Sequence, residues 1–291
     1  MKSPFDPIDD CYTPRMQVHY LKMQGAGNKI LVVDQRHNEQ PPPGPARLRE
    51  LASAATGPGF DQLMWVTAAD EASNTARYRI FNADGSEVEQ CGNGVRCVAR
   101  ALARDPELPS SFSLESPAGL VSARIGEDDL VSVSMGSPDF DPTRIRFLAE
   151  AGAASYTLDV DGRQLEVLAV SMGNPHCVMQ VRDVDAAPVA KLGPKIEHHE
   201  RFPERTNVGF MHVVDRRTID LRVHERGVGE TLACGTGAAA AVVSGQRLGL
   251  LDPEVRVRLP GGELVVSWRG NTEPVWLTGD AELISEGTLD L

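Results

Sequence analysis

Glu89-Gln90-Cys91-Gly92-Asn93-Gly94 and Leu232-Ala233-Cys234-Gly235-Thr236-Gly237 are the stretches whose reading decides how this chain is built. The two cysteines stand 143 residues apart, and other pairs keep nearly the same spacing. Phe81-Asn82-Ala83-Asp84-Gly85 precedes the first stretch as His224-Glu225-Arg226-Gly227 precedes the second, so Asn82 and Glu225 are also 143 apart. Gln62 and Asn207, each leading into an apolar run, are 145 apart. Asn28 of Gly25-Ala26-Gly27-Asn28 and Asn174 of Met172-Gly173-Asn174 are 146 apart. Four anchors within three residues of a single offset describe a sequence written twice. The reading is two copies of one α/β unit facing each other across a cleft, each offering one cysteine and a few polar side chains.

Between the anchors strands dominate. Leu130 to Met135, Ile219 to Val223 and Val255 to Leu259 alternate apolar and polar residues. Short alternating strands with Gly and Asp turns predict mostly antiparallel, strongly curved sheets. Clear helices are few. Val95, Val98, Ala99 and Leu102 mark one helix face after Cys91. Ala238 to Val243 is apolar all round and predicts a buried helix, with Gly249 as its stop. Arg47 to Ala55 reads as a surface helix behind a Pro41-Pro42-Pro43 loop.

With 291 residues the chain exceeds what one core usually holds, which predicts two domains. Residues 1–15 read as a loosely ordered extension with neither signal-peptide nor transit-peptide character. Residues 16–135 read as the domain carrying Cys91, with a last strand near 280–291 returning to it, and residues 136–279 as the domain carrying Cys234. No apolar run approaches the roughly 18 residues of a membrane span. The net charge of −12, with scattered basic residues, argues against nucleic acid and anionic membranes as partners. The five cysteines are odd in number and contain no C-x-x-C. Neither a disulfide framework nor a zinc site is expected, no metal or cofactor is called for, and the compartment implied is a reducing cytoplasm.

Cys91 and Cys234 are each expected to end a loop and open a helix. A helix start carries unpaired N–H groups and partial positive charge, which predicts a lowered thiol pKa. The N–H groups of Gly92, Asn93, Gly235 and Thr236 can hold a carboxylate. Two such starts aimed at one point would place a thiol on each side of the carbon next to that carboxylate. One sulfur could then remove a proton from one face while the other returns a proton to the opposite face, the pair titrating as a unit. An isolated buried cysteine is usually inert packing, and Cys97 and Cys177 read that way. His176 and Cys177 point to opposite faces of a strand, and Cys177 is taken to face away from the cleft.

Tyr78 to Gly94 resembles the first signature of the diaminopimelate epimerase family, and Glu225 to Ala238 the second. Gly173 to Val178 and Pro203 to Phe210 are similar to further blocks of that family, and the likeness runs from about Gln17 to the C-terminus. It implies an α/β (α+β) fold of two pseudo-symmetric domains, each a rolled, mostly antiparallel sheet around a central helix. It implies interconversion of LL- and meso-diaminopimelate without pyridoxal phosphate or metal, in lysine and cell-wall precursor biosynthesis, by a cytoplasmic homodimer. By resemblance, Cys91 and Cys234 are the proton-transfer residues, assisted by His176 and Glu225. Asn28, Gln62, Asn82, Asn174, Asn207, Glu225 and Arg226 bind substrate, and Gly92, Asn93, Gly235 and Thr236 cradle its carboxylate. Arg226 has the planar fork that suits a distal carboxylate. One departure is Lys29-Ile30, where the family usually has an acidic residue and phenylalanine. Two alternatives remain open from the residues: a sister two-cysteine racemase for proline, hydroxyproline or histidine, and a non-enzymatic redox or ligand-binding protein using a Cys91–Cys234 disulfide.

Overall fold

Pairing of strands carries the repeat into three dimensions. The computed structural model describes residues 17–38 and 40–291; the expected extension and Cys11 lie outside the described residues. The first copy runs β1 (Gln17–Gly25), β2 (Asn28–Asp34), α1 (Pro45–Ala52), β3 (Gln62–Thr67), β4 (Ala76–Asn82), β5 (Glu87–Val88), α2 (Gly92–Leu102), β6 (Ser111–Ser116), β7 (Gly119–Ile125) and β8 (Val131–Ser134). A short helix α3 (Pro142–Ile145) and β9 (Tyr156–Val160) follow. The second copy runs β10 (Arg163–Ser171), β11 (Pro175–Gln180), α4 (Val189–Glu197), β12 (Asn207–Asp215), β13 (Thr218–Glu225), β14 (Gly229–Thr231), α5 (Gly235–Arg247), β15 (Glu254–Leu259), β16 (Gly262–Ser267) and β17 (Trp276–Gly279). The chain closes with β18 (Glu282–Asp290).

The two copies pair alike. β2 is parallel to β3 as β11 is to β12, and β4 is parallel to β6 as β13 is to β15. The remaining pairings are antiparallel, including β1–β2 and β10–β11, and β8 joins β17 to make the sheet continuous across the molecule. The expectation of mostly antiparallel strands holds, with these parallel steps added. The copies differ in where the outermost strand comes from. β9 precedes β10 and reaches it through a two-residue hairpin, Asp161-Gly162, both with positive φ (55° and 73°), the backbone that hairpin turns require. The matching position beside β1 is taken by β18, from the far end of the chain.

Each copy rolls its sheet around one helix. α2 buries Val95, Val98, Ala99 and Leu102 as the spacing requires, and also Arg96 and Cys97. α5 is buried from Gly235 to Gly245, as its uniform apolarity demands, and Gly249 stands just past its end at φ 71°. Both helices share one core with the inner sheet faces. α1 and α4 cover the outer faces. α1 begins two residues before the expected Arg47, with Pro45 in its first turn, and stops at Ala52. It is also less of a surface helix than its composition implies, since Leu48 and Leu51 are buried against β1, β2 and β3 residues. α4 carries Pro194 within its last turn, which hides it from a reading based on helix breakers.

Because α5 is enclosed on every side, an added side chain has nowhere to go. Ala240→Leu, at a position with 0% exposure, should cost about 1–3 kcal/mol by overpacking. The thermal midpoint should fall by roughly 2–4 °C for each kcal/mol. An unchanged midpoint in a calorimetric melt would show that the enclosure is looser than described.

Candidate active site

Cys91 and Cys234 are the N-caps of α2 and α5. Both hold extended backbone (φ −155°, ψ 98° and φ −130°, ψ 109°), so the first N–H groups of each helix have no intrahelical acceptor, and in α2 the Gly94 N–H is taken by the Cys91 sulfur. The two helix starts meet. A Cβ added to Gly92 would fall 2.8 Å from Leu277 Cδ2, and one added to Gly235 would fall 2.9 Å from the same atom. The Gly235 Cβ would also lie 3.6 Å from Gly92 Cα and 3.8 Å from Asn93 Oδ1. Glycine is required here because two backbones and one leucine converge on the same space. The glycines two residues on are equally confined: a Cβ on Gly94 or on Gly237 would lie 3.3 Å from the sulfur of its own cap cysteine.

The polar residues singled out by the repeat gather at the same sheet ends. Asn28 opens β2 and accepts a hydrogen bond from Asn93 Nδ2. Gln62, at the start of β3, donates to Asn82 Oδ1 at the end of β4 (3.0 Å). In the second copy Asn174 Nδ2 reaches Thr236 Oγ1 at 3.5 Å, and Asn174 Oδ1 lies 3.0 Å from His176 Nε2. Asn207 is buried, donates to the Pro175 carbonyl and accepts the Arg226 N–H at 2.9 Å. The Arg226 guanidinium is turned elsewhere, donating to the Glu204 carbonyl at 3.1 Å, and Arg226 is exposed. Glu225 accepts from the Thr231 hydroxyl and forms no ion pair with Arg226 among the described residues. Lys29 is exposed, while Ile30 is wholly buried in the core. Cys97 and Cys177 are packing residues, and Cys177 sits in the core under α3 and α4, on the other strand face from His176.

The electrostatics reverse one expectation. Burial pushes the Cys91 thiol up to about 11, against N–H groups of Gly94 and Asn93 that favour the thiolate. Burial also pushes Cys234 well above its ordinary value, and the Glu225 carboxylate adds to this. A helix start does favour a thiolate, but removal of the sulfur from water outweighs it at both positions. Glu225 raises both thiols, so a single carboxylate of the second copy acts on the cysteines of both copies. His176, 1% exposed, is driven down to about 3 by burial and by the Arg226 charge, which makes it a neutral ring.

Four neighbours were not anticipated. Thr231 orients Glu225. Glu197 and His224 form a buried pair at 2.8 Å, and the second Glu197 oxygen accepts the Gly227 N–H at 2.9 Å, which pins the turn holding Glu225 and Arg226. Burial opposes the ionised Glu197, but these two donors hold its carboxyl below the usual range. Arg96 is a wholly buried cation on α2. Its signal was present, a charged residue inside an apolar helix, but helical spacing alone does not tell a buried arginine from an exposed one.

A sequence profile described as diaminopimelate epimerase matches residues 20–140 and 168–284. The diaminopimelate epimerase of Nitrosomonas europaea is 51% identical over 278 residues, covering 95% of this chain and 100% of that protein. That of Alkalilimnicola ehrlichii is 49% identical over 279 residues, with 95% and 100% coverage. Among solved structures, a hydroxyproline epimerase from Agrobacterium vitis with bound trans-4-hydroxy-L-proline aligns with a TM-score of 0.70 at 16% identity, over 96% of this chain and 94% of that one. A phenazine biosynthesis protein of the PhzF family from Bacillus anthracis aligns with a TM-score of 0.64 at 17% identity, over 95% and 100%. At such identities these two structures speak for the fold alone.

A neutral His176 has a consequence in solution. Its folded pKa of about 3 lies below the ordinary value near 6.5, so between those limits the unfolded chain binds a proton that the folded chain refuses. This residue therefore lowers stability as pH falls below about 6.5. The ring resonances of His176 should not titrate between pH 8 and 4 by NMR. A midpoint near 6.5 would mean that the ring is hydrated and the site open around it.

Proposed function

This chain belongs to the diaminopimelate epimerase family, and on that premise we propose that it interconverts LL- and meso-2,6-diaminopimelate by proton transfer between Cys91 and Cys234. The observation that carries the reading is the meeting of α2 and α5 at Gly92 and Gly235, each directly after a cap cysteine. A carboxylate bound to the free N–H groups of Gly92, Asn93, Gly235 and Thr236 would lie between the two sulfurs. Its α-carbon would then have one sulfur on each face. One thiolate takes the α-proton, the opposite thiol delivers its own proton, and the configuration inverts. Helix-start N–H groups stabilise the charge that develops on the carboxylate as the α-carbon loses its proton.

Glu225 is the partner for the ammonium beside the reacting carbon. A cation there offsets the carboxylate that raises both thiols, so substrate binding and thiol ionisation favour each other. His176, neutral, fixes Asn174. Asn28, Gln62, Asn82, Asn174 and Asn207 supply neutral amides to the zwitterionic ends, and Arg226 supplies the fork for the distal carboxylate. In this reading the reaction uses no pyridoxal group and no metal. It belongs to lysine and cell-wall precursor synthesis in the cytoplasm.

The same reading takes the chain as a homodimer. Leu283 and Ile284, each 49% exposed on β18, are the apolar surface that suits a second copy. Ile284→Lys should shift the mass found by light scattering toward one chain. An unchanged dimer would place the contact elsewhere, and a monomeric parent would remove it.

The decisive experiment follows substrate in D2O by NMR. The parent protein should invert LL-diaminopimelate and introduce deuterium at the α-carbon. Cys91→Ala and Cys234→Ala should each abolish inversion while exchanging deuterium into opposite isomers, because each retains the base of one face. Full inversion by either variant, or equal exchange of the same isomer by both, would sink the two-base assignment. Inversion of proline or hydroxyproline in place of diaminopimelate would favour the sister-racemase reading.

A further inference from the structure

Because the chain is written twice, its two thiols can be compared position by position, and their surroundings are unequal in three ways. First, the Cys91 sulfur accepts the Gly94 N–H at 3.2 Å. The equivalent Gly237 N–H also favours the Cys234 thiolate, but it does not close a cap hydrogen bond to that sulfur, whose partner is the Thr236 hydroxyl at 3.6 Å. Second, position 96 on α2 is a wholly buried arginine, and the residue 143 further on is Ala239, also wholly buried. Arg96 Nε donates to the Asp280 carbonyl at 3.2 Å, and neither Nη atom has a hydrogen-bond partner among the described residues. Third, the neutral amide of Asn82 is replaced 143 residues later by the Glu225 carboxylate, on the strand of the second copy.

Each difference has the same sign. A sulfur that accepts a backbone N–H is better stabilised as an anion. A buried guanidinium with unspent donors attracts a nearby negative charge strongly, since little water screens it. A carboxylate opposes ionisation of a nearby thiol, and Glu225 acts on Cys91 by charge alone but on Cys234 by charge and by side-chain contact. We propose that these differences order the pair, so that Cys91 loses its proton before Cys234, with Arg96 as the positioning charge. The charged and titratable groups that act on Cys91 are Arg96 and Cys97 on its own helix, Tyr78 from β4 and Glu225 from β13. Cys234 faces Glu225 from β13 and, through Thr236 and Asn174, the neutral His176 of β11. Burial drives both thiols upward, Cys91 to about 11 and Cys234 well above its ordinary value.

The order has a catalytic meaning that rests on the reaction proposed above. The first proton leaves to bulk water and gives a Cys91 thiolate opposite a Cys234 thiol. Turnover from that state breaks a Cα–H bond and forms the Cys91 S–H bond, then breaks the Cys234 S–H bond and forms a new Cα–H bond on the other face. The enzyme is left with a Cys234 thiolate and must move one proton between sulfurs, through water, before repeating. The isomer whose α-hydrogen faces α2 therefore meets the monoanion that forms more readily, and its epimer meets the disfavoured one.

The test needs no substrate. The full chain is alkylated with iodoacetamide across a pH series, and labelling rates at the Cys91 and Cys234 peptides are read by mass spectrometry. Midpoints are compared, so that the greater exposure of Cys91 drops out. The Cys91 midpoint should lie about one pH unit or more below that of Cys234, roughly a tenfold difference in ionisation. Arg96→Met should raise the Cys91 midpoint and leave that of Cys234 in place, and Arg96→Lys should restore it. Glu225→Gln should lower the Cys234 midpoint more than the Cys91 midpoint and narrow the gap. Equal or reversed midpoints, or a folded Arg96→Met protein with an unmoved Cys91 midpoint, would overturn the proposal. If Arg96→Met fails to fold in a thermal melt, a gap left unchanged by Glu225→Gln would overturn it instead. Absence of diaminopimelate turnover with the order intact would remove the reaction and leave the ionisation order standing.

Discussion

The contact between the first turns of α2 and α5 governs the rest of the molecule. Gly92 and Gly235 approach one another over Leu277 with no room for a side chain on either. For two helix starts to meet there, each helix must run back into its own half of the molecule, and each half must wrap its helix in sheet. This is why α5 can be apolar on all sides and why α2 carries Arg96 and Cys97 out of reach of water. It also explains why the polar residues of both copies sit at strand ends, since those ends are what lies beside a helix start in a rolled sheet.

The same contact sets the electrostatics. Free N–H groups at a helix start favour anions, yet the enclosure that brings two starts together takes water from around both sulfurs, more completely at the buried Cys234 than at the half-buried Cys91. Desolvation is the larger effect, and both thiols are harder to ionise than an exposed cysteine. A site of this kind is poised to respond to charge brought in by a ligand. Among the described residues, Glu225 is the one carboxylate whose charge raises both sulfurs. The buried Glu197–His224 pair beneath the Glu225-Arg226-Gly227 turn keeps that carboxylate in place.

Duplication supplies the architecture, and its imperfections supply direction. A fully symmetric site would hold two equivalent thiols. Here Arg96 answers Ala239 and Asn82 answers Glu225. The outermost strand of one copy comes from just before it, and that of the other from the far end of the chain. Pairing β18 with β1 ties the two ends of the described chain together, so the first copy is complete only when the last strand is in place.

Much of this was written in linear order. The recurrence of Asn28, Gln62, Asn82 and Cys91 at nearly one offset, together with glycines after each cysteine, sufficed for two alike halves and the two cap thiols, and the uniform apolarity of Ala238 to Val243 for one buried helix. Periodicity and turn residues act locally, over a few residues, and so can be read from neighbours in sequence. Other features depend on groups far apart in the chain. The upward shift of both thiols arises from burial by many segments. The neutrality of His176 needs enclosure and the charge of Arg226. The Glu197–His224 pair joins α4 to β13, and the buried Arg96 shows its role only once Asp280 and the β1–β2 turn close over it. The sequence determined which groups are present and on which local element each sits. Only the tertiary structure decided how much water and which charge each one meets, because desolvation and Coulomb interaction depend on distance in space, not along the chain.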